Sequence, residues 1–159
     1  MTYRVLGLSP DPFLPVYGLG EAELAARGVQ RVTAEASPGY PDRIELRDAE
    51  PGETLLLLNW THQPADTPYR SSHAIFVREG ATRPAEFVGT LPEAMRIRPL
   101  SIRAFDAAGH MLDADLVDGT QAEPLIERLL GDERTAYLHA HYARRGCYAA
   151  RIERGAEAP

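Results

Sequence analysis

Tyr137-Leu-His-Ala-His-Tyr-Ala-Arg-Arg-Gly-Cys-Tyr-Ala-Ala-Arg-Ile-Glu153 reads as two short strands joined by a loop from Tyr142 to Gly146, because Gly146 and the arginines before it interrupt β-compatible stretches. Hairpin loops of about five residues are ordinary. Closing the hairpin with His141 opposite Cys147 sets His139 against Ala149 and Tyr137 against Arg151. Side chains alternate along a strand, so this odd-numbered set shares one face. The even-numbered set of Leu138, Ala140, Tyr148, Ala150 and Ile152 then forms the face toward the core.

The same pattern occurs just upstream. Leu100 to Phe105 and Met111 to Val117 alternate apolar and polar residues around Asp106-Ala-Ala-Gly-His110, which predicts a second hairpin. Pairing Phe105 with Met111 sets Arg103 opposite Asp113 and places Leu100, Ile102, Leu112 and Leu116 on one face. Further strands are expected at Tyr3 to Leu8, Val29 to Ala34, Arg43 to Leu46, Glu53 to Trp60 and His73 to Arg78. The consecutive leucines Leu55 to Leu58 suggest a central strand covered on both faces. Glu21 to Arg27, closed by Gly28, predicts a short helix. Thr120-Gln-Ala-Glu123 matches a capping box, and Leu125, Ile126, Leu129 and Leu130 form the apolar stripe of a helix ended by Gly131.

These elements predict an α+β class: a single domain over residues 1–155, a mostly antiparallel sheet of about seven strands with two short helices, and a disordered tail at 156–159. Leu55 to Leu58, Ile75, Ile102, Leu116, Leu125, Leu129 and Leu138 are expected in the core.

A chain of 159 residues suffices for one core without disulfides or metal. The single cysteine cannot form an internal disulfide, and the first residues lack the apolar stretch of a secretion signal. A cytoplasmic, reducing location is therefore expected. No apolar run is long enough to span a bilayer, so no membrane partner is expected. All 17 basic residues are arginine, which excludes lysine Schiff-base chemistry and a phosphate loop ending in Gly-Lys-Ser/Thr. A net charge of -6 without a basic stripe argues against nucleic acid as a partner.

The candidate chemistry centres on the C-terminal hairpin. His139, His141 and Cys147 could form a metal set with an open position, although Arg144, Arg145 and Arg151 would repel a cation. Alternatively Cys147 is a nucleophile activated by those arginines, with His141 as its base. The third reading is a structural, buried cysteine. No metal and no cofactor is assigned. A second candidate is the connection from Thr61 to Ser72, read as a loop of about twelve residues. It carries His62, Gln63, Asp66 and Tyr69 beside Arg70, Ser71 and Ser72, where a guanidinium and adjacent hydroxyls could hold a carboxylate or phosphate. With His73 beginning its strand on the side of the C-terminal hairpin, loop and hairpin would converge on one pocket.

Asp48-Ala-Glu-Pro-Gly-Glu-Thr-Leu-Leu-Leu-Leu-Asn59, His62-Gln-Pro-Ala-Asp-Thr-Pro-Tyr-Arg-Ser-Ser-His-Ala-Ile-Phe-Val77 and Gly146-Cys-Tyr-Ala-Ala-Arg-Ile-Glu-Arg154 resemble the bacterial family of domain of unknown function 1203. The resemblance runs nearly end to end. It implies a single-domain bacterial protein and carries no activity, cofactor or catalytic residue with it. It also implies a cysteine where Asp42 stands here, a departure that weakens any mechanism needing two thiols.

The function expected from these observations is binding, with processing as an extension, of a small anionic molecule at a Cys/His/Arg site. Cys147 and His141 would be catalytic, and Arg70, Ser71, Ser72, His73, His139 and Arg151 would bind the ligand. The alternative is a non-catalytic protein-interaction domain in which Cys147 is structural.

Overall fold

A computed structural model describes residues 2–156; residues 157–159 of the tail expected to be disordered lie outside the described residues. The described residues form strands β1 (Tyr3–Leu6), β2 (Gln30–Thr33), β3 (Thr54–Gln63), β4 (Ser71–Arg78), β5 (Glu86–Val88), β6 (Pro99–Phe105), β7 (Met111–Asp118), β8 (Tyr137–Tyr142) and β9 (Tyr148–Arg154). The helices are α1 (Glu21–Ala26), α2 (Glu93–Arg96) and α3 (Ala122–Leu130). One sheet has six strands in the order β5-β1-β9-β8-β6-β7, and the other has three in the order β2-β3-β4. All strand pairs are antiparallel, so the molecule is the α+β domain expected, with β5 and α2 added.

Both expected hairpins form within the large sheet, and each contains a one-residue slip. Phe105 faces Met111, but the next pair is Ala104 with Asp113, so Leu112 is surplus and Arg103 faces Ala114 instead of Asp113. A slip of one exchanges the faces beyond it. Leu116 consequently lies opposite Ser101 and is 70% exposed, contrary to its expected place in the core. Val117, opposite Leu100, packs against the core in its stead. Asp113 pairs with Arg128 at 3.0 Å.

In the C-terminal hairpin Leu138 faces Ile152, His139 faces Arg151 and Ala140 faces Ala150, after which His141 faces Tyr148 and Ala149 is surplus. Tyr142 N donates to Cys147 O at 2.9 Å. The expected pairing of His141 with Cys147 is therefore corrected: Tyr148 joins the face of His139 and His141, and Cys147 turns with Tyr142 toward the core. Ala149 and Ala150 are both buried in that core. Small side chains at consecutive positions can share the crowded space that a bulge creates.

The core of the large sheet lies between Leu100, Ile102, Leu138, Ala140 and Ile152 and the stripe Leu125, Ile126, Leu129 and Leu130 of α3. The Thr120/Glu123 capping box does not form. Asp118 instead accepts from Thr120 N at 3.2 Å and Thr120 Oγ1 at 3.0 Å, a short 3-10 turn leads into α3, and Glu123 accepts from Tyr3 Oη at 2.8 Å. An anionic carboxylate is the stronger acceptor for an amide at a helix entry.

In the small sheet Leu55, Leu56 and Leu58 are buried and Leu57 is half-buried. The strand expected at Arg43 to Leu46 is a turn: Asp42 Oδ1 accepts from Arg78 N and Ile44 N and Asp42 Oδ2 from Glu45 N, while Leu46 takes φ 55°. A short side chain that captures nearby amides competes with ladder formation.

The slip in β6–β7 can be checked by mutation. Ile102→Ala should lower unfolding stability by about 2–5 kcal/mol, whereas Leu116→Ala should change it by no more than about 0.5 kcal/mol. Equal losses in urea titrations would contradict the observed register.

Candidate functional site

The two sheets meet where the end of β3 reaches the face of β8 and β9 that points away from α3. The β3–β4 ladder slips between Trp60 and Gln63, and both His62 and Gln63 then touch the large sheet. His62 stacks on Tyr148, with ring centroids 5.4 Å apart and 7° between planes, and Gln63 Nε2 donates to Tyr137 Oη at 2.9 Å. His139 and His141, two apart on β8, project toward His62, and one ring nitrogen from each of the three histidines lies within 4.8 Å of the others. The rings of His62 and His141 are edge-on, with centroids 4.8 Å apart.

His139 and His141 are only 3% and 1% exposed. Burial holds both at a pKa of about 3, and His62 at about 4, because a charged imidazole loses its hydration there. Repulsion from Arg103 acts in the same direction on all three, joined by Arg151 at His139 and by His73 at His62 and His141. All three rings are therefore neutral at pH 7, with a lone pair available for coordination or proton acceptance. His141 Nδ1 lies 2.8 Å from Gly146 O, so that nitrogen carries the proton and Nε2 carries the lone pair.

A second feature lies at the loop end of the C-terminal hairpin. A cavity of about 640 Å³ is bounded by β4, by the turn that carries Arg43, by the loop after α2 and by the β8–β9 loop. Arg43, Arg98, Arg144, Arg145 and Cys147 line it, together with His73. Arg43 is 2% exposed; it donates to Pro41 O, to Tyr148 O at 2.8 Å and through Nη2 to Cys147 Sγ at 3.1 Å. Arg98 is matched by Asp48, which it meets with both terminal nitrogens at 2.8 and 2.7 Å. Among the described residues, Arg43, Arg144 and Arg145 have no carboxylate partner.

The sequence model of the family described as "Protein of unknown function (DUF1203)" matches residues 39–154. The chain belongs to this family. The matched DUF1203 segment contains the histidine cluster and every residue that lines the cavity. No curated protein and no solved structure matches the chain.

Within this DUF1203 domain the residues nominated from sequence fall in three places. His139 and His141 meet at the cluster, joined by His62. Cys147 and His73 line the cavity, and Cys147 turns to the face of the hairpin opposite His141. Arg70, Ser71 and Ser72 are exposed; Arg70 Nη1 donates to Pro64 O at 2.9 Å and Ser71 Oγ to Tyr69 O at 3.1 Å. Arg151 lies over the Tyr137 ring at 4.0 Å and pairs with Glu153 at 2.6 Å. The connection read as Thr61 to Ser72 shortens to 64–70, because β3 runs on to Gln63 and β4 begins at Ser71. Arg43 and Arg98 were not nominated. The sequence pattern places Arg43 in a strand, and an isolated arginine in sequence carries no sign of the cavity it will face.

Proposed function

We propose that this protein binds a small anionic molecule in the arginine-lined cavity between β4 and the β8–β9 loop. The observation that carries this reading is the unbalanced charge of the cavity. Three of its guanidiniums, those of Arg43, Arg144 and Arg145, lack a carboxylate among the described residues, in a chain whose net charge is -6. A volume of about 640 Å³ falls within the range of small-molecule sites. Guanidiniums supply paired N–H donors that match carboxylate or phosphate oxygens. Cys147 and His141 project from opposite faces of the hairpin, so the proposal is binding, with Cys147 as part of the wall. A free thiol there suits a reducing, cytoplasmic compartment. Among the described residues no helix is long and apolar enough to cross a membrane.

The single cysteine provides the test. Iodoacetate and iodoacetamide alkylate the same sulfur but differ in charge. In the folded protein the ratio of iodoacetate to iodoacetamide rates should exceed that of the urea-unfolded chain by roughly 3-fold or more, because a positive cavity concentrates the anion. Arg144→Ala with Arg145→Ala, both exposed positions, should reduce the excess, and millimolar inorganic phosphate or citrate should slow labelling of the wild type. Equal ratios in folded and unfolded protein would overturn the proposal.

A further inference from the structure

We propose that His62, His139 and His141 form a binding site for a divalent transition-metal ion, zinc in the first instance, with one coordination position left open. One ring nitrogen of each histidine lies within 4.8 Å of the others. A tetrahedral zinc site with bonds of about 2.0–2.1 Å brings its nitrogens to about 3.4 Å of one another, so modest rotations of the rings would close the set around an ion.

Two further observations point to a ligand. His62 Nδ1, His139 Nδ1 and His141 Nε2 are buried and have no hydrogen-bond partner. A buried polar atom left without a partner costs free energy, and three such atoms in one cluster share a single remedy if they surround a cation. The second observation is the tether on His141, whose Nδ1 lies 2.8 Å from the Gly146 carbonyl. A backbone carbonyl that accepts the proton of one nitrogen fixes the tautomer and aims the other nitrogen's lone pair, as the outer partners of metal-binding histidines do.

The alternative explanation is aromatic packing. His62, His139, His141 and Tyr148 do pack mainly edge-on. Packing alone needs no imidazole nitrogens, however, and apolar rings would fill the same space without leaving three polar atoms unpaired.

The donor set decides the class of ion. Three neutral imidazoles with no thiolate and no carboxylate suit zinc, copper, nickel or iron and do not suit calcium or magnesium. Sites with three protein ligands keep a fourth position for water or an exogenous ligand. Arg103 lies opposite His139 in the β6–β8 ladder and Arg151 opposite it in the β8–β9 ladder; Arg103 donates to Ser101 Oγ and has no carboxylate partner among the described residues. Both charges disfavour a bare cation. They favour an anionic fourth ligand, whether hydroxide, a carboxylate or a phosphate.

The experiment uses the full chain, freed of metal by chelation and dialysed. Titration with Zn2+ alone should show one equivalent bound and a rise in melting temperature, and Co2+ should give the intense visible bands of a four-coordinate ion. X-ray absorption of the zinc-loaded wild type should show three imidazoles with oxygen and no sulfur. His62→Phe, which keeps the stack on Tyr148, and His141→Gln should each weaken binding by more than the roughly 10–100-fold expected from losing an outer partner. Cys147→Ser should leave binding intact. Failure of the wild type to bind one equivalent, a sulfur scatterer, or affinity unchanged in a folded His62→Phe variant would overturn the proposal. Because Cys147 and Arg144 lie at the cavity, failure here leaves the anion-binding reading to its own test.

Discussion

Gly119→Ala is expected to destabilise the protein by about 3 kcal/mol or more, at or beyond the upper end of the usual cost of overpacking. A Cβ at this position would lie 2.0 Å from Met95 O and 2.7 Å from both Arg96 O and Arg98 O. All three obstacles are backbone oxygens at the C-terminal end of α2 and the turn after it, so no side-chain rotation can relieve the contact. Gly119 N also donates to Arg98 O at 3.0 Å, which fixes the two segments against each other. Relief requires α2 to move, and α2 carries the fully buried Met95. Gly20→Ala is the control, because a Cβ there meets nothing within 4 Å and the change at a helix N-cap should cost less than about 1 kcal/mol. Urea unfolding of both variants provides the comparison. A Gly119→Ala loss no larger than that of Gly20→Ala would show that the close approach is absent.

Acid should unfold the metal-free protein through its buried histidines. Burial holds His139 and His141 at a pKa of about 3 and His62 at about 4, against about 6.5 in an unfolded chain. Between those values the unfolded state binds more protons than the folded state, so stability rises with pH. It is fully present above about pH 6.5 and falls as the pH drops toward 4 and then 3. Each tenfold loss of proton affinity on folding corresponds to about 1.4 kcal/mol, so the cluster accounts for several kcal/mol across this window. Urea midpoints between pH 7 and 5 isolate the effect, since most carboxylates remain ionised there. His139→Phe combined with His141→Gln should flatten that slope by roughly two protons' worth, even if the variant is less stable at pH 7. An unchanged slope would show that these rings are solvated.

The elements themselves were legible in the sequence because their causes are local. Alternation marked β6 to β9, the apolar stripe marked α3, and Gly28 and Gly131 marked helix ends. Both hairpins are present with their loops where turn residues placed them. A bulge, by contrast, carries no local signature in Leu112 or Ala149. Each slip is selected by what packs on the two faces of the sheet, and each moved residues to the opposite face: Leu116 went to solvent, and Cys147 and Tyr148, both buried, traded sides.

For the site, sequence alone determined that His139 and His141 share a face, since a spacing of two on one strand guarantees it. It also determined that the cationic side chains are guanidiniums, because the chain contains no lysine. Only the tertiary structure decided that His62, far away in the chain, completes the cluster and that Arg43 stands beside Cys147. Both juxtapositions join the small sheet and the turn between β2 and β3 to the large sheet. Contacts across a sheet interface are set by the packing of whole faces, and no periodicity within one strand records the distant strand it will meet.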